Sequence, residues 1–171
     1  IAILAASLVA VFVVRHNVQQ NSLQKVDEHT MFVATAVIPN LIEPGEWSEG
    51  LSEQRLGEVD LAVNRDLVVA GTLRAKIYNT EGTIIYSTER DEIGSKYDGS
   101  LTPVLEGESK TAVERLEHHN EGGGTKVIES YAPVVYPASD QSVGAFESYT
   151  DYAAAAGSIR KQALPLTGAL L

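Results

Sequence analysis

Leu73-Arg74-Ala75-Lys76-Ile77-Tyr78, Asn79-Thr80-Glu81-Gly82 and Thr83-Ile84-Ile85-Tyr86-Ser87 follow one another without interruption, and this stretch decides the fold. In the first run apolar and polar residues alternate, the period of a strand with one face on a core. The four residues closing on Gly82 turn the chain, and TIIYS returns as a second strand, so the segment reads as a β-hairpin. Alternation places Arg74, Lys76 and Tyr78 on one face and Leu73, Ala75 and Ile77 on the other.

Toward the C-terminus, Asp91–Gly107 is rich in turns, with Gly94, Gly99, Pro103 and Gly107 around a short helical piece at Leu101–Leu105. Thr111–His118 and Lys126–Val135 read as another strand pair, bridged by Asn120-Glu121-Gly122-Gly123-Gly124. Val143–Tyr149 is a fifth strand, after which Asp151 caps a closing helix through Gln162.

Toward the N-terminus, Gly71 stops a helix that Ser52 opens, with Leu56, Val59, Val63, Leu67 and Ala70 along one face. Pro39–Gly50 carries two prolines, two glycines and Trp47 and reads as a loop. Arg15 to about Ile38 is helical in character. Within it Leu23, Val26, Thr30, Val33 and Val37 keep a 3-4-3-4 spacing, a short heptad seam. Such a seam pairs with a second copy of the chain or lies on a sheet, and both arrangements are open. The order is two helices, five mostly antiparallel strands and a helix: an α+β domain with helices on one sheet face.

The charges frame this domain. The chain has 171 residues with 13 basic and 23 acidic, a formal net charge of −10, and no cysteine. That excludes disulfide scaffolds and thiolate chemistry, and argues against nucleic acid as a partner, since phosphate backbones are met by basic patches. Residues 1–14 and 163–171 carry no charge at all. The first (IAILAASLVAVFVV) is expected to be the end of one transmembrane helix. The second (ALPLTGALL) is expected to begin another, with Arg160 and Lys161 at the headgroups. Residues 15–162 are then the domain between them.

No catalytic or metal-ligating constellation emerges. His16 and His29 lie on the first helix, and His118 and His119 are neighbours near a hairpin tip, pointing to opposite faces. Gly122-Gly123-Gly124-Thr125-Lys126 has the glycines of a phosphate loop, but a strand follows it where a helix is required. The chain is therefore not read as an enzyme, and no cofactor is implied. What remains is a candidate binding face: Arg74, Lys76 and Tyr78 on the first strand, Arg115 on the third, Tyr131 on the fourth and Tyr149 on the fifth. Basic groups and tyrosyl hydroxyls converging there suit a small carboxylate. The competing reading is a solvated face whose charges pair with Glu114, Glu129 and Glu147.

Between the two uncharged ends, Lys76–Thr88 (KIYNTEGTIIYST), Glu92–Gly94, Val104–Gly107, Glu129–Val135 (ESYAPVV) and Val143–Tyr152 (VGAFESYTDY) occur in an order that resembles the single-module Cache (PDC, PAS-like) sensor domains of bacterial receptors. The resemblance covers about Arg15 to Gln162. It implies a long N-terminal helix packed on a five-stranded PAS-like sheet. It also implies a small-molecule ligand on the sheet face opposite that helix, under the loop at Glu89–Gly99. Further, it implies an extracytoplasmic, periplasmic placement on the inner membrane and a cytoplasmic output module such as a histidine kinase, diguanylate cyclase or chemoreceptor. The heptad seam, for its part, leads to the expectation of a parallel homodimer through the first helix. The Arg-x-Trp-Tyr arrangement of double-Cache amino-acid sensors is not seen, so that ligand class is not carried over. The alternative is a membrane-anchored interaction or structural domain with a vestigial pocket.

Overall fold

The computed structural model describes residues 2–66, 71–118, 121–137, 139 and 141–163. The chain opens with a long helix α1 (Ala2–Phe32), which passes through a π-helical segment (Val33–Val37) into α2 (Ile38–Leu41). Pro39 explains the widened turn. Its ring has no N–H and crowds the carbonyl four residues back, and the wider coil just before it relieves that conflict. Short α3 (Glu46–Glu49) and longer α4 (Glu53–Asp66) follow. Then come β1 (Thr72–Asn79), β2 (Ile84–Ser87), α5 (Thr102–Leu105), β3 (Lys110–His118), β4 (Glu121–Val135), β5 (Ser142–Asp151) and α6 (Tyr152–Ala163). The expected order of elements holds. The expected loop after Pro39 differs by containing two one-turn helices, and the glycines at 122–124 lie inside β4 rather than in a bridging loop.

The five strands form one antiparallel sheet in the order β2-β1-β5-β4-β3, with β5 at its centre. The β1–β2 turn closes as its sequence requires. Asn79 Oδ1 accepts from the backbone N–H of Glu81 at 3.0 Å and of Thr83 at 2.9 Å, and Gly82 takes a φ of 74°. Gly144 marks a close approach: a Cβ there would stand 2.1 Å from the Tyr78 carbonyl oxygen and 2.4 Å from the Trp47 ring. Trp47, read above as part of a loop, is thereby a core residue, and its indole N–H donates to the Tyr136 hydroxyl at 2.9 Å.

The helices cover one sheet face. Val33, Ala34, Ile38 and Ile42 from the leading helices and Leu56, Val59 and Val63 from α4 meet Ala75, Ile77, Ala132, Val134 and Phe146. Leu67 and Ala70, expected to continue the α4 stripe, lie outside the described residues. The heptad seam is thus taken by the domain's own sheet: Val26, Thr30 and Val33 are buried, and the Thr30 hydroxyl lies 3.0 Å from that of Ser148 on β5. The π-helical turn then shifts the seam, so that Ile38 rather than Val37 is fully buried. Asp151 Oδ1 accepts from the Ala154 N–H at 2.6 Å and caps α6, as its position suggests. Among the described residues no helix is long and apolar enough to cross a membrane. The first expected membrane segment forms the start of α1, and residues 164–171 of the second lie outside the described residues.

Candidate functional site

The opposite sheet face carries the candidate site, and register decides who meets there. Directly paired residues of an antiparallel sheet share a face. One row runs Lys76, Glu147, Tyr131 and Lys110 across β1, β5, β4 and β3, and the next runs Arg74, Tyr149 and Glu129. Tyr78 pairs with Ala145 and so shares this face as well. The segment after β2 folds back over it: the Gly94 N–H donates to the Ile84 carbonyl and the Tyr97 N–H to that of Gly82, both at 2.9 Å. The space between is a cleft of about 480 Å³. Its sheet wall is Lys76, Tyr78, Glu129, Tyr131, Glu147 and Tyr149, and Glu92, Lys96, Tyr97 and Asp98 close the other side.

Five of the six expected residues are therefore at one place: Lys76, Tyr78, Tyr131 and Tyr149 line the cleft, and Arg74 sits at its edge, its guanidinium 6.0 Å from the centre of the Tyr149 ring. Arg115 does not join them. It pairs with Lys126, in phase with Ile128 and Ser130 and hence with the helix-covered face, and it is exposed, donating to the Gly124 carbonyl at 3.4 Å.

The centre of the site is Glu147, which the sequence offered only as a counter-charge. It is 1% exposed, and Tyr78 donates to its Oε2 at 2.5 Å and Tyr149 to its Oε1 at 2.6 Å. Burial pushes its carboxyl above the usual carboxylate range, and the hydroxyls of Tyr131, Tyr149 and Tyr78 and the charge of Lys76 hold that rise back. The same burial, with the nearby carboxylate, raises the phenol pKa of Tyr78, Tyr131 and Tyr149, so all three stay protonated donors. Tyr97 was not singled out from the sequence. Its ring stands edge-on to Tyr78 and Tyr131, centroids 5.6 and 5.9 Å apart.

The expected basic groups are already engaged. Lys76 Nζ lies 3.0 Å from Glu92 Oε1, and Arg74 reaches Glu92 at 3.6 Å and Glu89 at 3.7 Å. Glu92 also accepts from the Ser87 hydroxyl at 2.8 Å, which fixes it over the strand end. A second hollow of about 280 Å³, between α2 and α4, is braced by Arg55, which donates to the Leu41 carbonyl and pairs with Glu46 and Glu58. No group of His, Asp and Glu able to hold a metal occurs among the described residues.

No protein-family profile matches the chain, and no curated protein sequence does. Solved structures do. The sensor domain of the histidine kinase DctB from V. cholerae superposes with a TM-score of 0.61 at 12% identity, over 88% of this chain and 58% of that one. This chain thus spans little more than half of that sensor domain. The sensor domain of DcuS from E. coli superposes at 0.54 with 13% identity, over 84% of this chain and 98% of that one. With the leading helix on a five-stranded sheet and the cleft on the opposite face, the chain has the Cache-type, PAS-like fold of such sensor domains.

Proposed function

We propose that this chain is the ligand-sensing input domain of a membrane-bound bacterial receptor. The observation that carries the reading is the cleft: a buried carboxylate and three tyrosines on the sheet meet a fourth tyrosine on the folded-back loop, and the carboxylate stands on the central strand that continues directly into α6. A concave site with an apolar ring wall and a few fixed polar groups is the form small-molecule sites take. The fold shared with the sensor domains of DctB, a histidine kinase, and DcuS supports the same reading. In it the domain stands outside the cytoplasm between membrane segments at residues 1–14 and 163–171. A solute in the cleft shifts β5 and α6 against α1, and the output module, a kinase, cyclase or chemoreceptor, follows in the cytoplasm. The domain itself is not an enzyme. A parallel homodimer uses the solvent face of α1, where Asn21, Gln24 and Glu28 are exposed, because the heptad seam is spent on the sheet.

The second reading, a membrane-anchored interaction domain with a vestigial pocket, draws on the ion pairs of Lys76 and Arg74 and the hydroxyl bonds to Glu147, which satisfy the cleft internally. A thermal-shift screen of the chain against a broad set of small metabolites separates the two. A one-site ligand at a hundredfold excess over Kd adds about 2.7 kcal/mol, a rise in Tm of about 5–10 °C for a domain of this size. Sensing predicts such a rise for at least one solute and its loss in Tyr149→Ala. A screen without hits overturns sensing.

A further inference from the structure

We infer that the solute this cleft takes is a small organic cation, a primary or methylated amine, rather than a carboxylate. The inference rests on the sensing reading and names its ligand class.

Three observations carry it. The first is charge. The lining holds four carboxylates, Glu92, Asp98, Glu129 and Glu147, against two ammonium groups, Lys76 and Lys96. Both ammonium groups have carboxylate partners outside any ligand: Glu92 at 3.0 Å from Lys76 and Glu81 at 3.6 Å from Lys96. The Arg74 guanidinium at the rim is likewise shared between Glu89 and Glu92. An anion would have to share these cations with the carboxylates already on them and then settle beside the buried Glu147. A cation needs neither step.

The second is hydrogen-bond capacity. A tyrosyl hydroxyl has one proton to give. Tyr78 and Tyr149 give theirs to Glu147, and Tyr131 shares its own between Glu129 and Glu147. What these groups still offer are lone pairs, on the phenol oxygens and on the carboxylates. A ligand rich in N–H donors completes such a set of oxygens, whereas a ligand that only accepts finds these three tyrosyl protons already given to carboxylates.

The third is the wall itself. Tyr78, Tyr97, Tyr131 and Tyr149 surround the cleft, and the rings attract cations in the protein as it stands: Lys76 Nζ lies 5.9 Å from the centre of the Tyr149 ring and Lys110 Nζ 5.8 Å from that of Tyr131. Ring faces of this kind hold ammonium groups, including methylated ones, with the charge partner behind them. Burial of Glu147 acts in the same direction, since a bound cation repays the cost of ionising it.

The test titrates the full chain with ethylammonium and tetramethylammonium chlorides and, at matched ionic strength, with sodium acetate and sodium succinate, following Tm and the chemical shifts of the tyrosine rings. At least one ammonium probe raises Tm and shifts the rings of Tyr78, Tyr131 and Tyr149, and the carboxylates do neither. Glu147→Gln weakens that binding by about tenfold or more. If that variant does not fold, the double change Asp98→Asn with Glu129→Gln, at the exposed and half-buried parts of the wall, weakens it instead. Stabilisation by acetate or succinate and not by either ammonium salt overturns the cation inference and leaves the sensing reading standing. No response to any of the four also overturns it, while sensing itself falls only with the broad metabolite screen.

Discussion

Tyr78 on β1 donates its hydroxyl proton to Glu147 on β5 at 2.5 Å, with both side chains sealed from solvent at 1% exposure. This bond ties two neighbouring strands on the cleft side of the sheet. Tyr78→Phe removes the donor, keeps the ring and leaves one carboxylate oxygen short of a partner. The expected loss of stability is about 1–2 kcal/mol at neutral pH, read from urea unfolding. An unchanged midpoint would show that the bond contributes nothing net.

Glu147 also gives the protein a specific pH signature. Its pKa in the folded chain lies above the ordinary value of 4.5, so the folded state holds that proton more tightly than the unfolded one. Its stabilising contribution is complete below that value and is lost as pH rises through the folded pKa. The unfolding free energy of the wild type minus that of Glu147→Gln should therefore fall as pH increases from 4.5, whatever the other carboxylates do to both proteins alike. A difference independent of pH would refute the shift.

Gly144 tests the packing of Trp47 on the helix-covered side of the sheet. Gly144→Ala forces a methyl group against the Tyr78 backbone and the Trp47 ring, at distances no real Cβ tolerates. Backbone cannot yield as a flexible side chain does, so the expected cost is about 3 kcal/mol. Circular dichroism melts of the variant give the answer directly, and a Tm within a degree of the parent would contradict the geometry.

The face of the leading helix is open to an equally plain comparison. Val33 is 2% exposed within the core and Phe32, its neighbour, is 59% exposed. Val33→Asp should abolish cooperative folding by burying an unpaired charge, whereas Phe32→Asp should stay within about 0.5 kcal/mol of the parent. Equal effects at the two positions would mean that the sheet does not cover this seam.

The hairpin and the helix stripes were legible because their signals are local. Asn79 and Gly82 specify their own turn, and the spacing of Leu56, Val59 and Val63 specifies its own face. The seam on α1 was legible as a seam, but periodicity does not say what covers it. Nor does it reveal that Pro39 forces a wide turn exchanging Val37 for Ile38. In the site, alternation within a strand correctly grouped Arg74, Lys76 and Tyr78. Arg115 went astray because phase between strands depends on register, which no single strand encodes. Glu147 was visible as a charge amid the apolar and small residues of VGAFES on β5, and that oddity was the signal to weigh. Tyr97 had no such signal, since its loop has no period.

Asp151 is at once the last residue of β5 and the cap of α6. The run from Glu147 to the first helical turn therefore contains no linker, only about 16 Å of extended chain at about 3.3 Å per residue. A bracket of this kind has no slack. Any change in strand spacing around Glu147 must be taken up by neighbouring strands or delivered to α6 as a tilt, because no hinge lies between them to swallow it.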